Sequence, residues 1–73
     1  MKTVSIFETN VLHFKDAKAI ISLLEMTFPH YRLNFDLSDC DHILRVESKG
    51  GNINIDEIEI AVKAMGYTCM HLP

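Results

Sequence analysis

The sequence has 73 residues, which leaves room for a single domain built around one hydrophobic core. Its apolar content of 48%, its charged content of 23% and its net charge of −3 are ordinary for a soluble globular chain. This charge argues against nucleic acid as a partner, because phosphate binding needs a basic face and the seven Lys and Arg residues are scattered. No segment approaches the roughly 18–20 apolar residues of a membrane span and no signal-peptide pattern opens the sequence, so we expect a cytoplasmic protein without a membrane partner.

A strand and a helix are predicted in the first part of the chain. Val4 and Ile6 alternate with polar residues over Thr3–Thr9, which predicts a strand. From His13 to Thr27, apolar residues recur at steps of three and four, which predicts a helix that ends before Pro29. The apolar stripe of this helix is Phe14, Ala17, Ile20, Ile21, Leu23, Leu24 and Phe28. In so short a chain, nearly every periodic apolar residue is expected to be needed for the core.

A hairpin follows. Tyr31–Leu37 is the cleanest alternation in the chain and predicts a strand whose apolar residues face the core. Residues 38–41 predict a turn, since Ser and Asp side chains bond to their own backbone there. His42–Ser48 predicts the returning strand, with Leu44 and Val46 pointing inward.

Capping signals mark the second helix. Asn54 followed by Glu57 is a capping box, and Ile53 and Ile58 occupy the two positions of the accompanying hydrophobic staple. Gly66 lies where a left-handed residue would end the helix.

With a last strand over Tyr67–Leu72, the element order is β, α, β, β, α, β. Right-handed crossovers place both helices on the same side of the sheet. The predicted fold is therefore an α+β, ferredoxin-like βαββαβ sandwich, a four-stranded antiparallel sheet with two helices on one face. We expect the first and third strands at its centre and the second and fourth at its edges, in one domain spanning 1–73.

Three features carry a resemblance to a known family. They are the Ile20…Leu24 spacing on the first helix, Phe28-Pro29 followed by the alternating Tyr31–Leu37 strand, and the ending Asn54-x-x-Glu57-Ile58…Val62-Lys63-Ala64-Met65-Gly66-Tyr67. In their order and spacing, they resemble the heavy-metal-associated (HMA) domain of copper chaperones and metal-transporting ATPases, over nearly the full chain. The resemblance implies the same fold, with a metal-binding loop between the first strand and the first helix.

The chain departs from that family in this loop. The family binds soft cations there through Met-x-Cys-x-x-Cys, and aligning Ile20 and Leu24 puts His13 and Asp16 at the two cysteine positions. Two thiolates are what select Cu(I) over harder ions, so copper binding in the family's manner is not expected. The sequence is also similar to small bacterial proteins of this superfamily that keep the fold and lack the cysteines.

Two groups of residues are candidate metal ligands. His13 with Asp16 offers an imidazole and a carboxylate, which suit Zn²⁺ or Ni²⁺, but two ligands make a weak site. The alternative is that His13 is a loop residue and Asp16 favours the positive end of the helix dipole. Asp39-Cys40-Asp41-His42 gathers four potential donors, yet acidic residues in a turn need no metal to explain them. No cofactor is expected.

The remaining candidates are structural. Cys69 and His71 lie two apart on the last strand and share a face, and if that face is the inner one, Cys69 is a small buried hydrophobic residue. Cys40 and Cys69 belong to opposite edge strands about three spacings of 4.8 Å apart, so we predict no disulfide between them. Tyr67 is expected to close the core together with Phe14.

The sequence does not favour an enzyme. It has no Gly-rich phosphate loop, no nucleophile with a neighbouring base and no pair of carboxylates at facing positions. The first hypothesis is an HMA-like interaction module that has lost the thiolate site and uses its sheet edges or loop end to bind a protein partner or a second copy. The alternative is a divalent-metal carrier or sensor that uses His13 and Asp16.

Overall fold

The structure is a computed structural model that describes residues 2–38 and 42–73. The described residues form β1 (Thr3–Thr9), α1 (Phe14–Thr27), β2 (Tyr31–Asp36), β3 (Ile43–Ser48), α2 (Ile55–Ala64) and β4 (Cys69–Leu72). The strands make one antiparallel sheet in the order β2-β3-β1-β4. This confirms the predicted α+β, ferredoxin-like arrangement, with β1 and β3 in the centre and β2 and β4 at the edges.

Both helices pack on one side of the sheet, which we call the inner face, and leave the other side, the open face, to solvent. The buried core joins strand residues to helix residues: Phe7, Val11, Ala17, Ile20, Leu24, Leu44, Val46, Ile53, Ile58, Val62 and Cys69. Leu44 and Val46 point inward as predicted, and β2 alternates between half-buried and exposed residues as predicted.

The orientation of β1 corrects an expectation. Val4 and Ile6 were expected in the core, but they lie on the open face and are 40% and 38% exposed. Ser5, Phe7 and Thr9 occupy the inner face instead. Because side chains alternate along a strand, burying the large Phe7 ring forces its even-numbered neighbours to the other side.

The apolar stripe of α1 is narrower than predicted. Ala17, Ile20 and Leu24 are buried, but Phe14 and Leu23 are exposed, so their expected place in the core was wrong. Leu23 lies about 100° around the helix axis from Leu24, and Phe14 is the first residue of the helix. The sheet covers only part of the helix circumference, so the margins of the apolar stripe remain in solvent.

Local signals at α2 behave as predicted. The Oδ1 atom of Asn54 accepts a hydrogen bond from the backbone N of Glu57 at 3.1 Å, and Ile53 and Ile58 are both buried. Gly66 has a φ of 93°, which places it in the left-handed region where glycine ends a helix without strain. Among the residues described, no helix is both long and apolar enough to cross a membrane.

Candidate functional site

The loop that joins β1 to α1 is tied to its surroundings by side-chain hydrogen bonds. Asn10 Oδ1 accepts from the backbone N of Thr68 at 2.8 Å, which connects the loop to the segment before β4. Thr9 Oγ1 donates to the carbonyl of His42 at 2.6 Å and accepts from the backbone N of Val11 at 3.3 Å. Val11 itself is fully buried. These contacts define the course of the loop.

The residues after Val11 turn outward. Leu12 is 63% exposed and Phe14 is 72% exposed, with the exposed His13 between them. We call Leu12, His13 and Phe14 the loop patch. It presents one aliphatic and one aromatic side chain to solvent, although the core lies directly beneath at Val11. Sequence reasoning missed this surface, because it assigned Phe14 to the core.

His13 and Asp16, the two predicted metal ligands, lie together at the start of α1. His13 is the N-cap residue, and its side chain makes no capping hydrogen bond. Its carbonyl accepts from the backbone N of Asp16 at 3.1 Å and from that of Ala17 at 3.0 Å. Asp16 is half-buried in the first turn, where a carboxylate interacts favourably with the helix dipole. The two side chains therefore start from neighbouring positions of one turn.

A third ligand is not supplied by the described part of the chain. Within residues 2–38 and 42–73, there is no group of three or more His, Cys, Asp or Glu side chains that could hold a metal ion. Zinc sites in proteins use three or four protein ligands, so His13 and Asp16 alone would give a weak and open site. Binding at these two residues stays a prediction.

Of the four candidate ligands in Asp39-Cys40-Asp41-His42, the structure describes only His42, because residues 39–41 lie outside the described ranges. The prediction that Cys40 and Cys69 form no disulfide also involves a residue outside the described ranges. His42 is half-buried with a φ of 49°, and its Nδ1 atom is enclosed and has no hydrogen-bond partner among the described residues.

Cys69 and His71 share the inner face, as their spacing predicted. Cys69 is 3% exposed and is a free thiol. Burial, assisted by the negative charge of Glu59, raises the pKa of the Cys69 thiol to about 11. His71 packs its ring against Phe7 at 5.4 Å between ring centroids, and its backbone N donates to Glu59 Oε2 at 2.9 Å. A protonated, enclosed thiol fits the role of a small hydrophobic residue rather than that of a metal ligand.

Tyr67 packs against the core and is half-buried, but the expected partnership with Phe14 is wrong. Phe14 points into solvent. The core at this end is closed by Val11, a loop residue whose position followed from no periodic pattern.

A groove of about 1030 Å³ opens beside the start of β2, and sequence reasoning did not identify it. Its charged and polar lining includes Glu25, His30, Arg32, Glu47, Lys49 and Asn52. The lining contains two carboxylates, of Glu25 and Glu47, and two cations, of Arg32 and Lys49, so neither sign of charge dominates. The groove gives no basis for choosing a class of ligand.

The open face is a third surface that sequence reasoning missed. Val4, Ile6 and Met70 are all exposed there, on β1 and β4. The signal was present in the sequence, because β1 has apolar residues at both even and odd positions. Only one of the two sets can face the helices.

Comparison of the chain with family models, with curated proteins and with solved structures finds no match.

Proposed function

We propose that this chain is a small, non-enzymatic interaction module of the HMA type, which has lost the thiolate metal site and binds a protein partner through the loop patch. The main support for this proposal is the exposure of Leu12 and Phe14 on a loop that is held in place by the buried Val11 side chain and by the hydrogen bond of Asn10. In the family it resembles, this loop holds the metal. Here the cysteine positions are taken by His13 and Asp16.

An anchored loop with outward apolar side chains suits protein recognition for two reasons. Its backbone is already positioned by the hydrogen bonds of Thr9 and Asn10, so little ordering entropy is lost on binding. Aromatic side chains that enter a partner's pocket also carry a large share of interface energy, and Phe14 is such a side chain.

The test compares a double variant of the patch with a matched variant elsewhere on α1. Leu12→Ser with Phe14→Ser removes both apolar groups, whereas Leu23→Ser with Met26→Ser removes two exposed apolar groups from the outer side of the same helix. Each tagged protein is used to isolate partners from its own cell extract, and the affinity for the purified partner is then measured by calorimetry.

We expect the patch variant to bind the partner about 30-fold more weakly or worse, since a central aromatic anchor contributes about 2 kcal/mol or more. The α1 control should bind as the unmodified protein does. Full affinity in the patch variant, or no partner for the unmodified protein, would contradict the proposal.

The second candidate is a metal-ion carrier or sensor that uses His13 and Asp16. It is favoured by the exposed His13 side chain, which makes no capping hydrogen bond, and by the position of Asp16 in the following turn. Amide NMR titration with Zn²⁺ and Ni²⁺ tests it. Saturable shifts at residues 9–16 that vanish in His13→Ala and persist in the control His30→Ala would support it, and unchanged binding in His13→Ala would remove this site.

A further inference from the structure

The two edge strands of the sheet differ in how open they are to a further strand. An edge strand has unpaired backbone N–H and C=O groups along its outer side, and proteins protect such edges with short strands, charged side chains, proline or bulges. β4 is short, with four residues. β2 has six residues, contains neither lysine nor proline, and pairs with β3 without a bulge over Tyr31–Asp36. Its only charged residues, Arg32 and Asp36, have opposite signs.

The inner side of β2 is incompletely covered by the rest of the protein. On the neighbouring strand β3, Leu44 and Val46 are fully buried. The inward apolar side chains of β2 and of the residue after it are only half-buried, although they pack against the core: Tyr31, Leu33, Phe35 and Leu37. Because β2 is the last strand on its side of the sheet, no strand covers their outer flank. A strand added there would remove more of this apolar surface from water.

The open side of β2 presents a cation and a carboxylate at its two ends. Arg32, Asn34 and Asp36 are all exposed there. Glu47 lies directly across from Arg32 on β3, but it is paired with other cations. Within residues 2–38 and 42–73, the guanidinium of Arg32 takes part in no hydrogen bond or ion pair. Arg32 can therefore pair with a carboxylate brought to the edge from outside.

We propose that the outer edge of β2 pairs in antiparallel fashion with β2 of a second copy of this chain, so that two four-stranded sheets become one eight-stranded sheet. Two identical strands can pair in this way only about a two-fold axis perpendicular to the sheet, which leaves the helices of both copies on the same side. Side chains that lie directly opposite one another then belong to the same face. The axis must therefore pass through a residue that is paired with its own equivalent.

One register satisfies both faces at once. With Asn34 opposite its own equivalent, Arg32 of each copy lies opposite Asp36 of the other, which gives two pairs of opposite charge. The Asn34 amide offers both a donor and an acceptor to its equivalent. On the inner side, each opposite pair joins an aromatic and an aliphatic side chain, a combination that stabilises strand pairs: Leu33 with Phe35, and Tyr31 with Leu37.

The neighbouring registers do not match the charges. With Leu33 at the axis, Arg32 lies opposite Asn34, and with Phe35 at the axis, Asp36 lies opposite Asn34. Neither brings Arg32 opposite Asp36. The other edge offers no such match, because β4 contains no Asp, Glu, Lys or Arg residue. Opposite charges at facing positions stabilise a pair of strands, so charge complementarity selects both the edge and the register.

Asp36 is already engaged within its own chain. Its Oδ1 atom accepts hydrogen bonds from the backbone N and the Oγ of Ser38, at 3.1 and 2.6 Å. A carboxylate has about four acceptor positions, so a contact with Arg32 of the second copy does not require these bonds to break. The attraction between the facing charges adds to them.

Sedimentation equilibrium tests the proposal. The interface is one pair of strands with the side chains beside it, which is small for a protein interface, so we expect a reversible dimer with a dissociation constant on the order of 100 µM. A concentration range from about 10 µM to about 1 mM spans this value. Arg32→Glu places like charges opposite one another twice and should weaken the dimer about tenfold.

The matched control is Lys63→Glu, which makes the same change of charge at an exposed position on α2 and should leave the dissociation constant unchanged. An Arg32→Glu variant that dimerises as the unmodified chain does would overturn the proposal. A monomer throughout the concentration range would overturn it in favour of a different occupant of the edge or of none.

A cross-link tests the register. Opposite residues of an antiparallel pair have Cα atoms about 4.5–5.5 Å apart, within the range that a disulfide tolerates. In a Cys40→Ser background, Asn34→Cys should therefore form a disulfide-linked dimer when treated with diamide. A register shifted to Leu33 or Phe35 at the axis would move the two copies of residue 34 roughly 8 Å apart, too far for the bond.

Arg45→Cys in the same background is the control for the edge. Arg45 is exposed on the open face and lies directly across from Asn34 on β3, so three strand spacings, or roughly 14 Å, would separate its two copies. It should not cross-link. Equal cross-linking at both positions, or none at residue 34 at concentrations where sedimentation shows a dimer, would rule out pairing through β2 in this register.

This edge is distinct from the loop patch. Dimerisation that survives Leu12→Ser with Phe14→Ser separates the two proposals, so either can fail without the other.

Discussion

The inner and open faces of the sheet are made by alternate residues of the same four strands, yet their side chains are selected by different contacts. On the inner face, Phe7, Leu44 and Val46 are fully buried against the helices. On the open face, Val4 and Ile6 stand in solvent with similar strand propensity. The comparison shows that propensity placed the strands, whereas contact with the helices decided which side chains became core.

The contrast is strongest within β1, whose inner face is partly polar and whose open face is mostly aliphatic. Ser5 and Thr9 are buried although burying a hydroxyl costs free energy unless it is hydrogen-bonded. Thr9 meets that condition through His42 and Val11. The aliphatic side chains left outside, Val4 and Ile6, are 40% and 38% exposed and gain less free energy from burial.

The largest expected difference between the two faces is in the effect of truncating a valine, because valine occurs on both. Val46→Ala removes two buried methyl groups and leaves a cavity, so we expect a loss of about 2–3 kcal/mol in the free energy of unfolding. Val4→Ala on the open face should cost less than about 1 kcal/mol at low protein concentration. Urea denaturation followed by circular dichroism measures both. Equal losses would show that Val4 is as well packed as Val46.

Adjacent residues of β4 give a chemical test of similar size. The pKa of Cys69 is raised to about 11 by burial, so at pH 8 its thiolate population is roughly a hundredfold lower than for a thiol of ordinary pKa. In a Cys40→Ser background, iodoacetamide should therefore modify Cys69 at least about a hundredfold more slowly in the folded protein than in urea. Equal rates would show that the inner face is open to reagents.

The same shift predicts the sign of a pH effect. Folding holds the proton on Cys69, so its stabilising contribution is complete below the ordinary thiol pKa and is lost as pH rises toward about 11.

Met70, the next residue, is 56% exposed and should be oxidised by peroxide without unfolding of the protein. A Met70 that resists peroxide at low protein concentration would remove the contrast between the faces at this edge.

Much of this architecture was predictable from the sequence, and the failures have a common physical cause. The alternation of Tyr31–Leu37 and the capping residues of α2 are local signals, so the strand and the ends of the helix followed from them, and the strand order followed from the order of the elements. Which side of β1 faces the helices was not predictable from the sequence. Apolar residues occupy both even positions, at Val4 and Ile6, and an odd position, at Phe7. Only the packing of distant helices chooses between them.

In the candidate site, too, some residues were placed by local sequence patterns and others by contacts between distant segments. The helical pattern of α1 placed His13 and Asp16 at its start, and the structure puts them there. The outward turn of Leu12 and Phe14 depends on Val11 filling the core from a loop, and no periodicity encodes a loop residue. Whether further ligands reach His13 depends equally on contacts between distant segments.

Gly66 tests the turn that sets which residues of β4 face the helices. Its φ of 93° is unfavourable for any residue with a Cβ, so Gly66→Ala should cost about 1–2 kcal/mol in unfolding free energy. Gly50→Ala is the control, since an added Cβ there meets nothing within 4 Å and should leave stability nearly unchanged. A neutral Gly66→Ala would mean that the turn can relax without disturbing β4.

The smallest effect is expected from the ion pairs of the open face. The hydrogen bond from Lys2 is the main cause that lowers the pKa of Glu47, and the charges of Lys2 and Arg45 add to it. Because the pKa is lowered in the folded state, the pair stabilises the protein above the ordinary Glu value of 4.5, and this contribution is lost as pH falls through the lowered value. The side chains of Lys2 and Arg45 are more than half exposed, and pairs whose cations are so accessible to solvent contribute little, so the change in thermal stability should be small.

Lys2→Met isolates this pair. The titration midpoint of Glu47, followed by NMR, should move toward 4.5 in the variant, and the small difference in thermal midpoint between the two proteins at pH 7 should shrink as the pH falls below 4.5. Salt gives a second measurement of the same pair. In about 1 M salt, where the Debye length is about 3 Å, the pKa shift of Glu47 should shrink. A shift that salt leaves unchanged would show that attraction between the exposed charges does not contribute to it.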